Sequence, residues 1–333
     1  MANPTWSKVM DDLHSSTWEK KGTDLVDNIF ENLPILKLMR EKGKFVDHSG
    51  GTMITIPLEY GENETVQSFG RGSKFSIEDN QKFTTAKYDW KGVGGSIVRY
   101  FKDEQMNKGE AQVFNLVEKN TKNLTKSIEK KFNALLMDDG SGDANDLEGF
   151  KKYVETTPAT GTVGGLDAST CTWWRNQHTS MSGLDHTVYL IDYMRTMFDD
   201  CSEDGGVNPP TVIVTTKAIK NWYIDEALDS HYYTESNDYA DLGIKSCGFN
   251  GVPIIWSNSC TAGEMLFLNL DYFELAYDPS LWFNMTDWKT AQDNLERVAQ
   301  VVAVANLVCS NRAKQGLLSA ITTKSPRDKP ISL

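Results

Sequence analysis

Apolar residues recur along this chain with two different periods, and the period changes from segment to segment. Between residues 23 and 40, Leu25, Val26, Ile29 and Phe30, then Ile35, Leu36, Leu38 and Met39, fall at helical spacings. Pro34 restarts the second piece and Gly43 ends it, so two short helices are expected there. After Gly50-Gly51 the period drops to two: Ile54, Ile56, Leu58 and Tyr60 share one face, and Thr55, Pro57 and Glu59 the other. That is the pattern of a strand, and Pro57, which has no N–H to donate, places it at a sheet edge. A second alternating run, Ala86, Tyr88 and Trp90, continues past Gly92, Gly94 and Gly95 to Ile97, Val98 and Tyr100. The polar, glycine-bearing stretch between the two runs is too long for a tight turn, which predicts an extended hairpin with a long tip. Two strands alone are marginal in water, so the apolar residues of such a ribbon must meet another surface, within the chain or on a neighbour.

The longest periodic segment follows. Val113, Leu116, Val117, Leu124, Ile128, Phe132, Leu135 and Leu136 recur by threes and fours while Lys119, Lys122, Lys126 and Lys130 take other faces, predicting one helix over residues 103–137. The run Asp138-Asp139-Gly140-Ser141-Gly142-Asp143 ends it as a loop. Residues 145–272 mix signals, with helices expected at 187–198 and 217–228 and strands at 211–214, 252–256 and 265–268, an α/β or α+β unit. Residues 296–305 alternate imperfectly as a strand, and 306–319 could continue it with a turn at Gly316. The first 22 or so residues are polar with isolated Trp6 and Trp18, which suggests an arm that docks elsewhere, and the tail from Lys324 is expected to fray. No internal repeat is visible.

Composition narrows the function classes. With 333 residues and 39% hydrophobic side chains, the chain can bury one large core or two that share a sheet, and disorder is not its main state. Lys plus Arg number 34 against 46 Asp plus Glu, and the resulting −12 repels phosphate, which argues against sequence-specific nucleic-acid binding. The five cysteines are odd in number, widely spaced and without a C-x-x-C pair, so they read as reduced thiols made in a cytoplasm. The N-terminal residues lack the basic start and apolar core of a signal peptide, and no run approaches the ~20 apolar residues of a membrane span, so a soluble, non-secreted chain is expected.

Candidate chemistry is sparse. There is no P-loop, H-E-x-x-H, G-x-S-x-G or post-strand G-x-G-x-x-G. The acidic run Asp138, Asp139, Asp143, Asp146 and Glu148 has the charge of a calcium loop, but counted from Asp139 the sixth position is Ala144 and the twelfth Phe150, where glycine and glutamate belong. It reads as a solvated junction. His14, His48, His178, His186 and His231 are scattered, and no fixed acid pairs with them. Trp173-Trp174-Arg175-Asn176 stands out, since an arginine beside paired indoles can stack on one. A base-stacking platform would need more basic neighbours, so Trp173, Trp174 and Arg175 are read as packing residues inside the fold or at a subunit contact.

Four strings in fixed order carry a family resemblance: GGTMITIPLEYGENETVQSFGRG at 50–72, YDWKGVGGSIV at 88–98, GGLDASTCTWWRNQ at 164–177 and NLVCSNRAKQGLLSAI at 306–321. With the arm, long hairpin, long helix, mixed unit and C-terminal strands around them, the chain resembles the tailed-phage major capsid proteins of the Hong Kong ninety-seven fold. The resemblance implies an α+β subunit with an N-terminal arm at 1–47, an extended loop at 48–101 and a spine helix at 102–140. A mixed axial domain would occupy 141–272, and strands at 273–322 would complete the spine helix's peripheral domain, ahead of a tail at 323–333. It implies no catalysis and no cofactor, but pentamers and hexamers closing an icosahedral shell around double-stranded DNA, within a virion assembled in the host cytoplasm. An acidic inner surface would let that DNA slide. Lacking the long N-terminal extension of some members, the chain would use a separate scaffolding protein, together with a portal and, where present, a decoration protein.

The same resemblance gives the extended loop the contact to a neighbouring subunit, through Val66, Phe69, Phe75 and Ile77 with Arg71 and Lys74 at the rim. Some relatives join a loop lysine to a neighbour's asparagine; Lys74, Lys82 and Lys87 are the candidates here, but no acceptor stands out, and non-covalent contact is the expectation. Two alternatives stay open: the shell of a bacterial nanocompartment with the same fold, and a cytoplasmic α/β enzyme with an unrecognised site in residues 141–272.

Overall fold

A computed structural model describes residues 33–63, 65–75, 77, 81–100, 116–203, 206–229, 234–235, 247–290 and 296–322. Helix α1 (Pro34–Glu41) opens on its proline and buries Ile35, Leu36, Leu38 and Met39. Strands β1 (Phe45–Asp47), β2 (Ile54–Glu59), β3 (Phe83–Tyr88) and β4 (Lys91–Tyr100) follow, then helix α2 (Leu116–Leu136) and a single turn, α3 (Phe150–Tyr153). A minute hairpin, β5 (Thr162–Val163) and β6 (Leu166–Asp167), precedes β7 (Gln177–Ser180). Helix α4 (His186–Cys201), capped by the Asp185 carboxylate accepting from Thr187 N, leads to β8 (Val212–Thr215) and helix α5 (Lys217–Asp229). The chain continues through β9 (Thr234–Glu235), β10 (Cys247–Phe249), β11 (Val252–Trp256), β12 (Met265–Leu268) and β13 (Phe273–Tyr277). It closes with β14 (Asn284–Met285), β15 (Lys289–Thr290), β16 (Glu296–Cys309) and β17 (Gly316–Ser319).

One sheet is built around β16. Along one edge it pairs antiparallel with β4 over ten positions, from Glu296 opposite Tyr100 to Ala305 opposite Lys91. Along the other it meets β15, β14 and β13 in turn, and β1 adds to β13 in parallel. Helix α2 crosses β4, burying Ile128, Phe132, Leu135 and Leu136. The glycines of β4 allow these approaches: a methyl on Gly95 would collide with Leu124 Cδ1, and one on Gly94 would sit 3.1 Å from the Val301 carbonyl oxygen.

The second sheet runs β7-β17-β12-β8-β11-β10-β9 and is covered on both faces. Its period-two alternation sorts side chains between two cores. Ile213, Ile254, Met265, Phe267 and Leu318 face α4 and α5, where they meet Met194, Met197, Ile219 and Tyr223. Val212, Val214, Ile255, Leu266, Leu268 and Leu317 face the other way, into the core shared with α1, α2 and the β16 sheet. The two sheets therefore share one layer of apolar packing.

Four expectations are corrected. The return strand of the hairpin is not continuous: it breaks at Asp89-Trp90, and residues 91–100 belong to the β16 sheet rather than to an extended loop ending at 101. Residues 33–47 are not a free arm, because α1 is in the core and β1 is paired with β13. The strands after 273 divide between the sheets, since β17 pairs with β12 and β7 in the second one. Gly316 is no turn either; it opens β17, and its missing side chain admits α4, for a Cβ there would lie 2.5 Å from both Cys201 Sγ and Met197 Sδ. The start of the long helix (residues 103–115), the first 32 residues and the tail at 323–333 lie outside the described residues.

A buried polar cluster joins the C-terminal segment to both sheets. Arg312, with no exposed side-chain surface, donates from Nε to Tyr153 O at 2.9 Å and from Nη2 to Asn176 Oδ1 at 3.3 Å, and lies 3.6 Å from the Glu155 carboxylate. Asn176 returns Nδ2 to Glu155 O at 2.9 Å. Burial raises the Glu155 carboxyl above its ordinary value, and Arg312 opposes that rise. Near by, Gln315 and Asn269 exchange hydrogen bonds through the Asn269 backbone, Asn269 N to Gln315 Oε1 at 2.8 Å and Gln315 Nε2 to Asn269 O at 3.3 Å. Removing the guanidinium takes the donor from Tyr153 O and the ion pair from the partly buried Glu155, so Arg312→Ala is expected to destabilise the fold by about 3–5 kcal/mol, read by chemical denaturation.

Between α4 and α5, His186 stacks on Trp222 at 4.4 Å. Glu226 of α5 is pushed up to about 7 by burial and by the charges of Asp192 and Asp185, against a hydrogen bond from the Ile191 backbone. A carboxyl whose folded value is raised binds more protons in the folded state, so its ionisation weakens the fold as pH climbs from its ordinary 4.5 through about 7. Glu226→Gln should therefore melt higher than the parent at pH 8, by about 2 °C, and the gap should close by pH 5 when both are followed by circular dichroism.

Candidate functional site

Among the described residues the four most exposed large apolar side chains, Ile77, Val66, Phe69 and Phe83, lie on one projection. β2 and β3 pair from Ile54 opposite Tyr88 to Glu59 opposite Phe83, and Tyr60 N extends the ladder to Lys82 O at 2.9 Å. One face of this ribbon, Ile54, Leu58, Ala86 and Tyr88, is buried on the subunit, while Thr55, Pro57, Glu59, Thr85 and Lys87 face solvent. Among the described residues no third strand joins it, so Pro57 lies at an open edge.

Beyond Tyr60 the tip is held by local polar bonds. Asn63 Oδ1 accepts from Thr65 N at 3.2 Å and Oγ1 at 2.7 Å, Ser73 closes a turn on Gly70, and Gln67 Nε2 reaches across to Lys74 O at 2.7 Å. What these bonds display is apolar: Ile77 is 98% exposed, Val66 80%, Phe69 72% and Phe75 57%. Phe69 and Phe75 touch each other, ring centroids 5.4 Å apart. Arg71 and Lys74 are exposed beside them. An apolar centre with cations at its margin has the make-up of a protein–protein contact. Phe83, 63% exposed opposite Glu59, belongs to the same surface and escaped the sequence reading, because it starts β3 out of step with the Ala86-Tyr88 face.

The root of the ribbon is fixed by Tyr88, whose hydroxyl donates to Cys309 O of β16 at 2.7 Å and whose ring meets Tyr153 edge-on at 6.0 Å. Tyr153 OH in turn donates to Leu307 O. Burial pushes both phenols far above their ordinary value, so they stay neutral donors. Trp90 Nε1 donates to Gly51 O at 3.0 Å and Asn306 Nδ2 to Asp89 O at 2.9 Å, closing the break between β3 and β4.

A second support comes from residues 162–175. The β5–β6 turn, Gly164-Gly165, has φ of +62° and +75°, which glycine adopts freely, and Gly164 O accepts from Lys87 N at 2.9 Å. Trp174 is buried, its Nε1 donating to Val163 O at 3.1 Å; Trp173 is half-buried and stacks on Tyr60 at 5.0 Å with planes 13° apart. Arg175 does not stack on an indole, because its guanidinium is engaged by two carbonyls, Nε to Ala168 O at 2.7 Å and Nη2 to Ser169 O at 3.1 Å. Sequence reasoning singled out the tryptophans but not Tyr60 as their partner, which lies more than a hundred positions away.

Other candidate groups are occupied structurally. Asp139 and Asp143 accept from Ser141 N and Asn145 N, Asp146 pairs with Lys131 at 3.1 Å, and Glu148 N donates to Asn306 Oδ1 at 3.2 Å. Among the described residues no three His, Cys, Asp or Glu side chains are placed to hold a metal ion. His178 bonds Ser319 Oγ at 2.9 Å; His14 and His231 lie outside the described residues. No described helix is long and apolar enough to cross a membrane.

The sequence matches no protein-family model and no curated protein. Solved structures do resemble it. The capsid of cyanophage A-1(L) is 17% identical with a TM-score of 0.63, the match covering 84% of this chain and 91% of that one. The capsid of the myovirus XM1 is 11% identical with a TM-score of 0.53, over 85% and 92%. An encapsulin, SrpI of Synechococcus elongatus, is 10% identical with a TM-score of 0.52, over 86% and 89%. These matches extend over most of the chain, which therefore has the α+β fold of tailed-phage major capsid proteins, the Hong Kong ninety-seven fold.

Proposed function

We propose that this chain is a structural subunit of the icosahedral head of a tailed double-stranded DNA phage, assembling with copies of itself into pentamers and hexamers and carrying no catalytic site. The observation that carries this reading is the ribbon tip: Val66, Phe69, Phe75, Ile77 and Phe83 are displayed on a projection with too little chain of its own to cover them. A neighbouring copy supplies the cover, and obligate contacts of that kind hide roughly 2,000–5,000 Å² in total. Arg71 and Lys74 then meet carboxylates at the rim, of which a chain with a net charge of −12 has a surplus. The β16 sheet with α2 forms the peripheral domain, and the seven-stranded sheet forms the axial one. A separate scaffolding protein, a portal and, where present, a decoration protein complete the particle, which is assembled in the host cytoplasm.

The encapsulin likeness supports a second reading, a nanocompartment shell enclosing an enzyme. Capture of a cargo peptide by purified shells would favour it; shells that form only beside a scaffold and portal, and fill with DNA, would favour the phage head. Lys74 and Lys87 are exposed and Lys82 half-buried on the ribbon, but contact between subunits is non-covalent in this proposal. A ladder of linked chains on a denaturing gel would overturn that point.

Replacing residues 63–80 with a short Gly-Ser turn tests the assignment directly. The shortened protein should keep the circular dichroism spectrum and unfolding midpoint of the parent, since the tip adds nothing to either core, but should form no closed shells by sedimentation and negative-stain microscopy. Complete shells from the shortened chain would remove the assembly role; loss of folding would place the tip in the core.

A further inference from the structure

The ribbon is held along its buried face, Ile54, Leu58, Ala86 and Tyr88, and by aromatic contacts at its root and at its outer end. The inner mooring is Tyr88 on Cys309 O, with Trp90 on Gly51 O beside it. The outer one is Tyr60, at the far end of β2, stacked on Trp173. At about 3.3 Å per residue the two lie on the order of 20 Å apart, and beyond the buried Leu58 the stack on Trp173 is what holds the outer end.

Trp173 is held from behind. It meets the buried Trp174 edge-on at 5.6 Å, Trp174 is tied to Val163 O, and Arg175 is tied to Ala168 O and Ser169 O. The same short hairpin bears on the ribbon a second time through Gly164, which accepts from Lys87 N and comes so near that a Cβ would sit 3.0 Å from Tyr88 OH. Among the described residues past Tyr60 and Lys82, the tip's hydrogen bonds are internal to it. The direction in which it leaves the subunit is therefore determined where Tyr60 meets Trp173.

We propose that Tyr60 and Trp173 are positioning residues whose stack fixes the pitch of the ribbon, and so determines where the apolar tip meets the next copy and how strongly the assembled shell curves. The statement about curvature rests on the shell function proposed above; the statement about pitch stands on the single chain.

The test uses the full chain, unassembled, with spin labels on Ser73→Cys at the tip and Ser182→Cys beside the seven-stranded sheet. Cys171→Ser serves as background, because the other four thiols are buried. The parent should give one narrow distance distribution, Trp173→Leu should at least double its width, and Trp173→Phe, which keeps an aromatic face, should restore most of it. Tyr60→Ser opens the same stack from the ribbon side without touching the packing behind Trp173, and it serves if Trp173→Leu fails to fold. A distribution for Tyr60→Ser as narrow as the parent's overturns the assignment. In shell assembly Tyr60→Ser should give mixed diameters and open sheets, and a single parental diameter overturns the link to curvature. An unaltered chain that never closes into particles defeats the shell reading instead, and the distance measurement still decides the pitch.

Discussion

The backbone of β16 is hydrogen-bonded along both edges for nearly its whole length, to β4 on one side and to β15, β14 and β13 in succession on the other. Its last carbonyls also receive the phenols of Tyr153 and Tyr88, which bring in the α3 turn and the root of the ribbon. The polar cluster at Arg312 begins three residues beyond its end. The six-stranded sheet, the α3 turn and the root of the ribbon are thus all referred to one strand. Because that strand lies close to the C-terminus and its longest partner near residue 100, the pairing spans some two hundred residues of chain. Closing a loop of that size is costly in entropy, and β1 and β4 find their sheet partners only in β13 and β16.

Helical and strand periods in the sequence identified elements that are locally determined. The α5 region, β11, β12 and the alternation of β2 follow from side-chain spacing alone, and Pro57 marked an open edge for the reason proline always does. What spacing could not convey was which strands would be neighbours. Residues 86–100 read as one run because Tyr88, Trp90, Val98 and Tyr100 keep a common period of two, yet the chain changes sheets at Asp89-Trp90, where distant Asn306 donates to Asp89 O. Gly316 looked like a turn because glycine usually signals one, whereas here it makes room for two sulfur atoms of α4.

The ribbon shows the same division. Its tip was legible as a surface in search of a partner, since apolar residues there outnumber the local chain able to cover them. The stack of Tyr60 on Trp173 was not, because each residue has an adequate local account: Tyr60 completes the β2 alternation and Trp173 flanks Trp174. Contacts between elements that are each complete by themselves leave no trace in periodicity, and they appear only when both are placed in space.

Cys201, Cys247, Cys260 and Cys309 lie beneath other side chains, and burial holds their thiols protonated, Cys260 at about 11 and Cys309 at about 12. A buried, protonated sulfur is a poor nucleophile and offers no surface to an oxidant. These four thiols are therefore closed to disulfide exchange, and of the five cysteines only the half-buried Cys171 is open to it. That resistance is built into the same apolar layers that hold the two sheets together.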